Sequence, residues 1–184
     1  MQTVIIDNTK EWTVEDYLSL EQTNKPCELI NGELIMSPAP SPQHQRISIK
    51  LFKILDATSK GLGEVFYAPI DLYIDDKNVF QPDLVFISEI NKKFITERGL
   101  EGPPDLIIEI ISPSNSYTDR NQRKKNYLAF GVKEYWIVDP GNKTLEIYNY
   151  ASGETPVLYL AEEGIVASIV LPELSFSLAE LFTP

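Results

Sequence analysis

The sequence predicts one α/β domain in which helices cover a sheet of buried strands. Two runs lead to this prediction, 106–111 and 134–139. In each, apolar residues stand at both odd and even positions, which is typical of a strand that is buried on both faces. Between these runs, 119–131 reads as a helix. The chain has 184 residues, a length that suits a single domain with a sizeable core.

The first predicted elements are a short helix and a hairpin. Thr13 is placed to cap a helix over 13–18, and Asp16, three residues on, takes the position of the acid in a capping box. The segment 27–36 has Asn31 and Gly32 between two short apolar runs, which is the strongest local signal of a β-hairpin.

The core begins with a longer helix, which we predict over 41–60. Ser41 caps it, Pro42 suits its first turn, and Gly61 follows its end. The residues at helical spacing on one face are apolar, as expected for a helix that packs on a core: Ile47, Leu51, Ile54 and Leu55.

The rest of the predicted core is three strands, a helix and a strand. The three strands cover 64–74, 79–87 and 105–111. They are followed by the helix at 119–131 and the strand at 134–139. After Pro140 the pattern changes to short runs separated by turns that contain glycine. These runs predict an antiparallel extension with strands at 144–150, 156–161 and 165–170, and a closing helix at 178–182.

The composition excludes several kinds of protein. The single cysteine, Cys27, excludes an internal disulfide and a multi-cysteine zinc site, and the single histidine, His44, excludes histidine-rich metal sites. No apolar run reaches the length of about 18 residues that a membrane-spanning helix needs. The first seven residues also lack the basic start of a secretory signal. We therefore expect a protein of the reducing cytoplasm.

The charge distribution leaves two interpretations open. A net charge of −11 disfavours non-specific binding to phosphate, because that affinity comes mostly from Lys and Arg replacing counterions. Four of the sixteen basic residues nevertheless lie within six positions, at Arg120, Arg123, Lys124 and Lys125. Such a patch beside a carboxylate site can hold a polyanion locally. On charge alone, a solvated helix face explains the same residues equally well.

Glu109 is the one charged residue in the run 106–111. A carboxylate in a buried strand loses hydration worth several kcal/mol, roughly, unless cations or hydrogen-bond donors compensate. One interpretation is a structural ion pair with Arg120 or Arg123. A functional role is favoured, because buried acids are frequent at functional sites, provided that a second carboxylate comes near.

Asp83 interrupts the apolar run 79–87 in the same way and is the expected second carboxylate. If the two strands are neighbours, they lie about 4.8 Å apart and both carboxylates can reach one cation. Carboxylate oxygens select a hard ion, Mg²⁺ or Mn²⁺, which can supply a hydroxide-like nucleophile. Asp105 is a poorer partner, because four residues of strand separate it from Glu109 by roughly 13 Å. We expect Asp105 to begin the strand.

A set of motifs extends over about residues 13–182. The motifs are Glu28-Leu-Ile-Asn-Gly-Glu33-Leu, Ser41-Pro-Gln-His44-Gln, Gln81-Pro-Asp83-Leu-Val-Phe, Glu109-Ile-Ile-Ser-Pro-Ser114, Asp119, Tyr127, Gly131-Val132 and Glu134-Tyr-Trp-Ile-Val-Asp-Pro140. Together these motifs resemble the Uma-type family of proposed restriction endonucleases, and as a set they are highly specific. That family is bacterial and has the PD-(D/E)XK restriction-endonuclease-like fold.

The resemblance implies a metal-dependent phosphodiesterase core in which Asp83 and Glu109 bind the ion. The family's catalytic lysine lies on the following helix, four residues before the tyrosine, and Arg123 occupies that position here. Arginine is too basic to accept a proton, but it can hold a phosphate or orient a water. The adjacent Lys124 is the alternative, although a one-residue step turns it about 100° around the helix.

Three hypotheses follow. The leading one is a Mg²⁺-dependent endonuclease acting on DNA, with the basic cluster at 120–125 on phosphate and with Glu33 and His44 as second-tier candidates for the same cleft. A nucleic-acid-binding module whose catalysis has decayed has the same fold and is favoured by Arg123. A structural or interaction protein, for example a homodimer, is favoured by the net charge of −11.

Overall fold

The computed structural model describes residues 10–20, 27–36, 38–112, 118–149 and 155–183, and of residues 118–120 it describes the backbone alone. Residues 1–7, on which the expected lack of a secretory signal depends, lie outside these ranges. None of the described helices is long and apolar enough to cross a membrane.

The helices and strands of the described ranges follow the predicted order with more breaks. The α-helices are α1 (Val14–Leu18), α2 (Pro42–Thr58), α3 (Lys124–Phe130) and α4 (Leu178–Phe182), with a 3₁₀-helix at Glu89–Phe94 and a π-helix at Thr118–Arg123. The strands are β1 (Cys27–Ile30), β2 (Glu33–Met36), β3 (Gly63–Tyr67), β4 (Leu72–Asp75), β5 (Asn78–Phe80), β6 (Leu84–Ser88), β7 (Ile95–Thr96), β8 (Gly99–Leu100), β9 (Leu106–Ile110), β10 (Glu134–Asp139), β11 (Thr144–Asn149), β12 (Leu158–Ala161), β13 (Ile165–Ala167) and β14 (Ser175–Ser177).

The central sheet has six strands in the order β12-β11-β10-β9-β6-β3. Its middle pair, β9 and β10, is parallel, and the other neighbouring pairs are antiparallel. A parallel pair needs a crossover connection, and α3 lies in that connection. Every residue of β9 and of β10 is buried, as the apolar runs predicted.

Helices cover both faces of this sheet. On one face, Ile47, Leu51 and Leu55 of α2 pack against strand residues that include Leu84 and Ile108. On the other face, Tyr127 of α3 packs in a second cluster with Ile107 and Tyr135 among others. The apolar face predicted for α2 is therefore confirmed, and the sheet is a middle layer between two cores.

A second sheet, in the order β2-β1-β5-β4-β8-β7, contains the N-terminal hairpin. The predicted turn is confirmed, since Ile30 pairs with Glu33 and the two turn residues, Asn31 and Gly32, have φ angles of 51° and 80°. These positive φ angles suit asparagine and glycine. The capping box predicted for α1 is also present, with Asp16 returning a hydrogen bond to the backbone of Thr13.

Two predicted strands are each divided between the two sheets. The run 64–74 forms β3 in the central sheet and β4 in the second sheet, and the run 79–87 forms β5 and β6 in the same way. Pro69 and Pro82 lie in the two breaks, and proline cannot donate to a strand ladder. As a consequence, Asp83 lies just before the start of β6 and not inside a strand.

The helix predicted at 119–131 is also observed in a different form. Its first part is the π-helix, and only residues from Lys124 on are α-helical, ending at Gly131 with a φ of 102°. In the C-terminal extension, the strand predicted at 165–170 stops at Ala167 and pairs with β14, which was not predicted. The strand stops because the N–H groups of residues 169 and 170 donate to the buried carboxylate of Glu134 at 3.0 Å each.

Candidate active site

The structure brings Asp83 and Glu109 together, as predicted. β6 and β9 are antiparallel neighbours in which Leu84 pairs with Ile108, so the next pair along the ladder is Asp83 with Glu109. The backbone N–H of Asp83 donates to Glu109 Oε2 at 3.4 Å. The break at Pro82 thus places the backbone of one acid against the side chain of the other.

Two donors fix the orientation of the Asp83 carboxylate. Its Oδ2 accepts a hydrogen bond from the backbone N–H of Ile110 at 2.8 Å, and His44 Nε2 lies 3.1 Å from the same oxygen. A carboxylate only accepts, so His44 carries its proton on Nε2 in this contact. His44 reaches Asp83 from the first turn of α2, whose N-cap is Ser41. This second-tier candidate is therefore part of the site.

Glu109 is held by two donors on its other oxygen. Oε1 accepts hydrogen bonds from Tyr127 Oη at 2.7 Å and from Arg123 Nη1 at 2.9 Å. Burial raises the pKa of Tyr127 well above its ordinary value, and the Glu109 charge raises it further. Tyr127 therefore keeps its proton and donates it to the carboxylate. Glu109, whose side chain is 5% exposed, has the cation and the donors that a buried charge needs.

Arg123 joins Glu109 to a third acid that the sequence did not single out. Its Nη2 donates to Glu28 Oε2 at 2.5 Å, and Glu28 Oε1 accepts the backbone N–H of Gln81 at 2.6 Å. Glu28 comes from β1, so the hairpin of the second sheet takes part in the site. The sequence signal for Glu28 is its place in the same motif as Glu33.

Except for Tyr127, the residues of this network line a cleft of about 1040 Å³. Its wall combines the first turn of α2, the break around Pro69, the end of β9, and the turn after β10 at 139–142. The acids that line it are Glu28, Asp83, Glu109 and Asp139, and among the described lining residues the basic side chains are Arg123 and His44. The cleft is therefore acidic, although the ion pairs of Arg123 offset part of that charge.

Other predicted site residues lie elsewhere. Lys124 Nζ lies 4.6 Å from the centre of the Tyr148 ring and does not line the cleft, which differs from the role expected for it. Lys125 and Glu33 are exposed, and neither lines the cleft. The side chain of Arg120 lies outside the described part of the chain. Of the side chains of the basic cluster that the structure describes, Arg123 alone contacts the acids. It is buried and pairs with both Glu28 and Glu109.

The donor set in the cleft fits a hard divalent cation. Within the described part of the chain, Asp83 Oδ1 accepts no hydrogen bond, and Glu109 Oε2 lies beside the Asp83 backbone. No group of three His, Cys, Asp or Glu side chains is arranged there as a complete ligand set. Mg²⁺ usually keeps several waters and takes only one or two protein carboxylates, so two acids are sufficient.

Asp105 lies near the opposite end of β9 and has a structural role. Its carboxylate accepts hydrogen bonds from Lys133 Nζ at 2.6 Å, from the Ser88 N–H at 2.7 Å, and from Asn91 Nδ2 at 3.0 Å. Burial alone would raise the pKa of Asp105, but these hydrogen bonds outweigh burial and hold the pKa below its ordinary value. The expectation that Asp105 marks the start of the strand is confirmed.

The lowered pKa of Asp105 predicts a pH-dependent stabilisation. The folded pKa lies below the unfolded value of about 3.9, so the stabilisation is complete above that value and is lost as pH falls through the folded pKa. We expect Asp105→Asn to lower the free energy of unfolding by about 1–3 kcal/mol near pH 7 and by less at a pH well below about 3.9, where the carboxylate of the wild type takes up its proton. Urea denaturation at the two pH values measures this. Asp56→Asn, at an exposed position of α2, is the control, and an equal loss for Asp105→Asn at both pH values contradicts the prediction.

Comparisons with known proteins identify the family and the fold. A family model described as "Uma2: Putative restriction endonuclease" matches residues 14–179. An uncharacterized protein of Synechocystis sp. is 29% identical over 140 residues, which are 74% of this chain and 79% of that protein. A crystal structure from Anabaena variabilis, described as a putative nuclease belonging to DUF820, matches with a TM-score of 0.76 and 24% identity over 92% of this chain and 97% of that chain. The predicted restriction-endonuclease-like α/β fold is confirmed.

Proposed function

We propose that this protein, which belongs to the Uma2 family, hydrolyses phosphodiester bonds of DNA with the help of a bound Mg²⁺ or Mn²⁺ ion. The family supports a nuclease in general. The metal and the choice of DNA are the finer parts of the proposal, and they rest on the chemistry of the cleft.

One observation carries the proposal: the carboxylates of Asp83 and Glu109 converge across neighbouring strands at the wall of one cleft. Glu109 is buried and Asp83 is half-buried, and acids that are withdrawn from water in this way need a structural partner or a function. Glu109 has a structural partner in Arg123, but Asp83 Oδ1 faces no donor within the described residues. That open oxygen distinguishes the pair from a purely structural ion-pair network.

Each protein group has a defined task in this mechanism. A bound ion supplies a polarised phosphate and a water of lowered pKa. Asp83 offers Oδ1 to the ion, while His44 and the Ile110 N–H hold its other oxygen in place. Glu109 offers Oε2, and Arg123 and Tyr127 hold its Oε1.

The acidic lining gives the ion a second task. Four carboxylates repel a polyanionic strand, and one guanidinium that is already paired with two of them does little to attract it. A divalent cation held by Asp83 and Glu109 would offset the charge of these two acids and so reduce the repulsion of a phosphate there. Binding of nucleic acid should therefore depend on the metal as much as cleavage does.

A cleavage assay tests the proposal. Supercoiled plasmid and linear single- and double-stranded DNA are incubated with the protein in Mg²⁺, in Mn²⁺, or in EDTA after dialysis against EDTA. We expect cut products only with a divalent ion, and recovery of cutting when the ion is added back. The proposal is wrong if no DNA is cut under any divalent condition, or if cutting persists in EDTA.

A second candidate function is binding of nucleic acid without catalysis. The observation that favours it is the Arg123 bridge, because a guanidinium that pairs with both Glu28 and Glu109 offsets part of their charge without any metal. The same incubation separates the two candidates when binding is followed alongside cleavage. Retention of DNA without any cut product supports the binding module.

A further inference from the structure

The backbone of Tyr67 lies beside the backbone of the segment that carries Asp83. It is the last residue of β3, where it pairs with Leu84, the residue that follows Asp83. The next N–H along, that of Ala68, donates to the carbonyl oxygen of Asp83 at 3.0 Å. The backbone at Tyr67 is thus hydrogen-bonded directly to the backbone that carries one of the two acids.

The Tyr67 ring is exposed but held in place. It is 63% exposed and lines the cleft. Phe52 of α2 contacts it edge to face, with ring centres 5.4 Å apart and an angle of 81° between the planes. Phe52 itself packs against the core on this side of the sheet. A ring that is supported at its edge keeps its orientation while it presents aromatic surface to solvent.

The cleft that Tyr67 lines has apolar residues as well as acids. Four prolines line the same cleft, at positions 38, 40, 69 and 140. Proline rings have no N–H to hydrogen-bond with a ligand, so recognition there depends on flat apolar contact. Among the described lining residues the basic side chains are Arg123 and His44, so the prolines and Tyr67 offer a ligand apolar and aromatic contact that does not depend on its charge.

We propose that Tyr67 is the stacking platform for an unpaired nucleobase next to the scissile phosphate. The inference rests on the proposed function and narrows its substrate class to single-stranded or locally unpaired nucleic acid. Stacking on an aromatic side chain needs an exposed base face, which a strand supplies when it is not stacked within a duplex. Tyr67 and the two acids line the same cleft, so a strand bound across the acids can stack one of its bases on the ring.

The test is binding of a 12-nucleotide single strand that carries the fluorescent base 2-aminopurine, in Ca²⁺, a hard cation of the same charge as Mg²⁺. We expect Tyr67→Ala to weaken binding about 5- to 150-fold and to remove the fluorescence quenching that stacking causes. Tyr67→Phe should keep both, because it keeps the ring. Tyr159→Ala is the matched control, since Tyr159 is 58% exposed but lies on β12, away from the cleft.

Each outcome decides the inference. Equal binding of the single strand by Tyr67→Ala and wild type overturns it even if the wild type cuts DNA. An equal loss of binding for the duplex form of the same oligonucleotide overturns the preference for unpaired bases, and failure of the wild type to bind the strand at all also overturns the inference. Quenching that depends on Tyr67 without any cleavage in Mg²⁺ supports stacking and rejects the nuclease. The same strand in DNA and RNA form shows which sugar is accepted.

Discussion

Asp83→Asn is expected to lower the rate of DNA cleavage by about 10³-fold, because loss of one of two anionic ligands removes several kcal/mol of transition-state stabilisation. Asparagine keeps an oxygen that can accept the Ile110 N–H, so the hydrogen bond that fixes residue 83 survives. The fold is therefore expected to stay intact, and circular dichroism before the assay checks this.

The control for that measurement is the same substitution at Asp76, which is exposed in the turn between β4 and β5 and does not line the cleft. Asp76→Asn should cut DNA at the wild-type rate. If Asp83→Asn also keeps the wild-type rate, then Asp83 does not bind a catalytic ion and the mechanism is wrong. A contaminating nuclease would show the same residual rate in all three proteins.

Arg123→Met is expected to lower the free energy of unfolding by about 3–5 kcal/mol, which is about 6–20 °C in Tm. The Arg123 side chain is 7% exposed, and removing its guanidinium leaves Glu28 and Glu109 buried without their shared cation. Thermal and urea denaturation measure the loss. Lys125→Met, at an exposed position on α3, should change Tm little.

Two further variants show how Arg123 acts. Arg123→Lys keeps the charge but has a single ammonium group, so it should recover only part of the lost stability. Combining Arg123→Met with Glu28→Gln removes one of the two unpaired acids and should be less destabilising than the sum of the single changes. A Tm for Arg123→Met within a few degrees of wild type, at roughly 2–4 °C per kcal/mol, would contradict the buried bridge.

The pair Asp83 and Glu109 was predictable because each acid interrupts an apolar run. Such a pattern predicts a charge that is withdrawn from water, and Glu109 is buried while Asp83, just before β6, is half-buried. Glu28 was not predictable in this way. Its hydrogen bond joins residues 95 positions apart in the chain, and it depends on how the second sheet docks against the first.

Which of Arg123 and Lys124 faces the acids depends on how many residues make one turn of the helix that carries them. An α-helix that began at 119 would leave the choice between the two side chains open, since they differ by about 100°. The observed π-helix through Arg123 has a wider turn, so the direction of each side chain could not be read from an α-helical count. Arg123 faces the acids and Lys124 packs on Tyr148.

The strand breaks limited the rest of the prediction. Pro69 and Pro82 were visible in the sequence, but apolar residues on both sides of each favoured continuous strands. In the structure, each proline marks the point where the chain changes sheets. Those two breaks create the cleft: one carries Tyr67 and Pro69 to its rim, and the other places Asp83 against Glu109.

The central claim is that Asp83 and Glu109 hold a divalent ion, and the most direct measurement is calorimetric titration of Mn²⁺ into wild type, Asp83→Asn and Asp76→Asn. We expect about one ion per chain for wild type and for Asp76→Asn, and binding at least about tenfold weaker for Asp83→Asn. Equal Mn²⁺ affinity in all three proteins, or no binding by the wild type, would contradict the account.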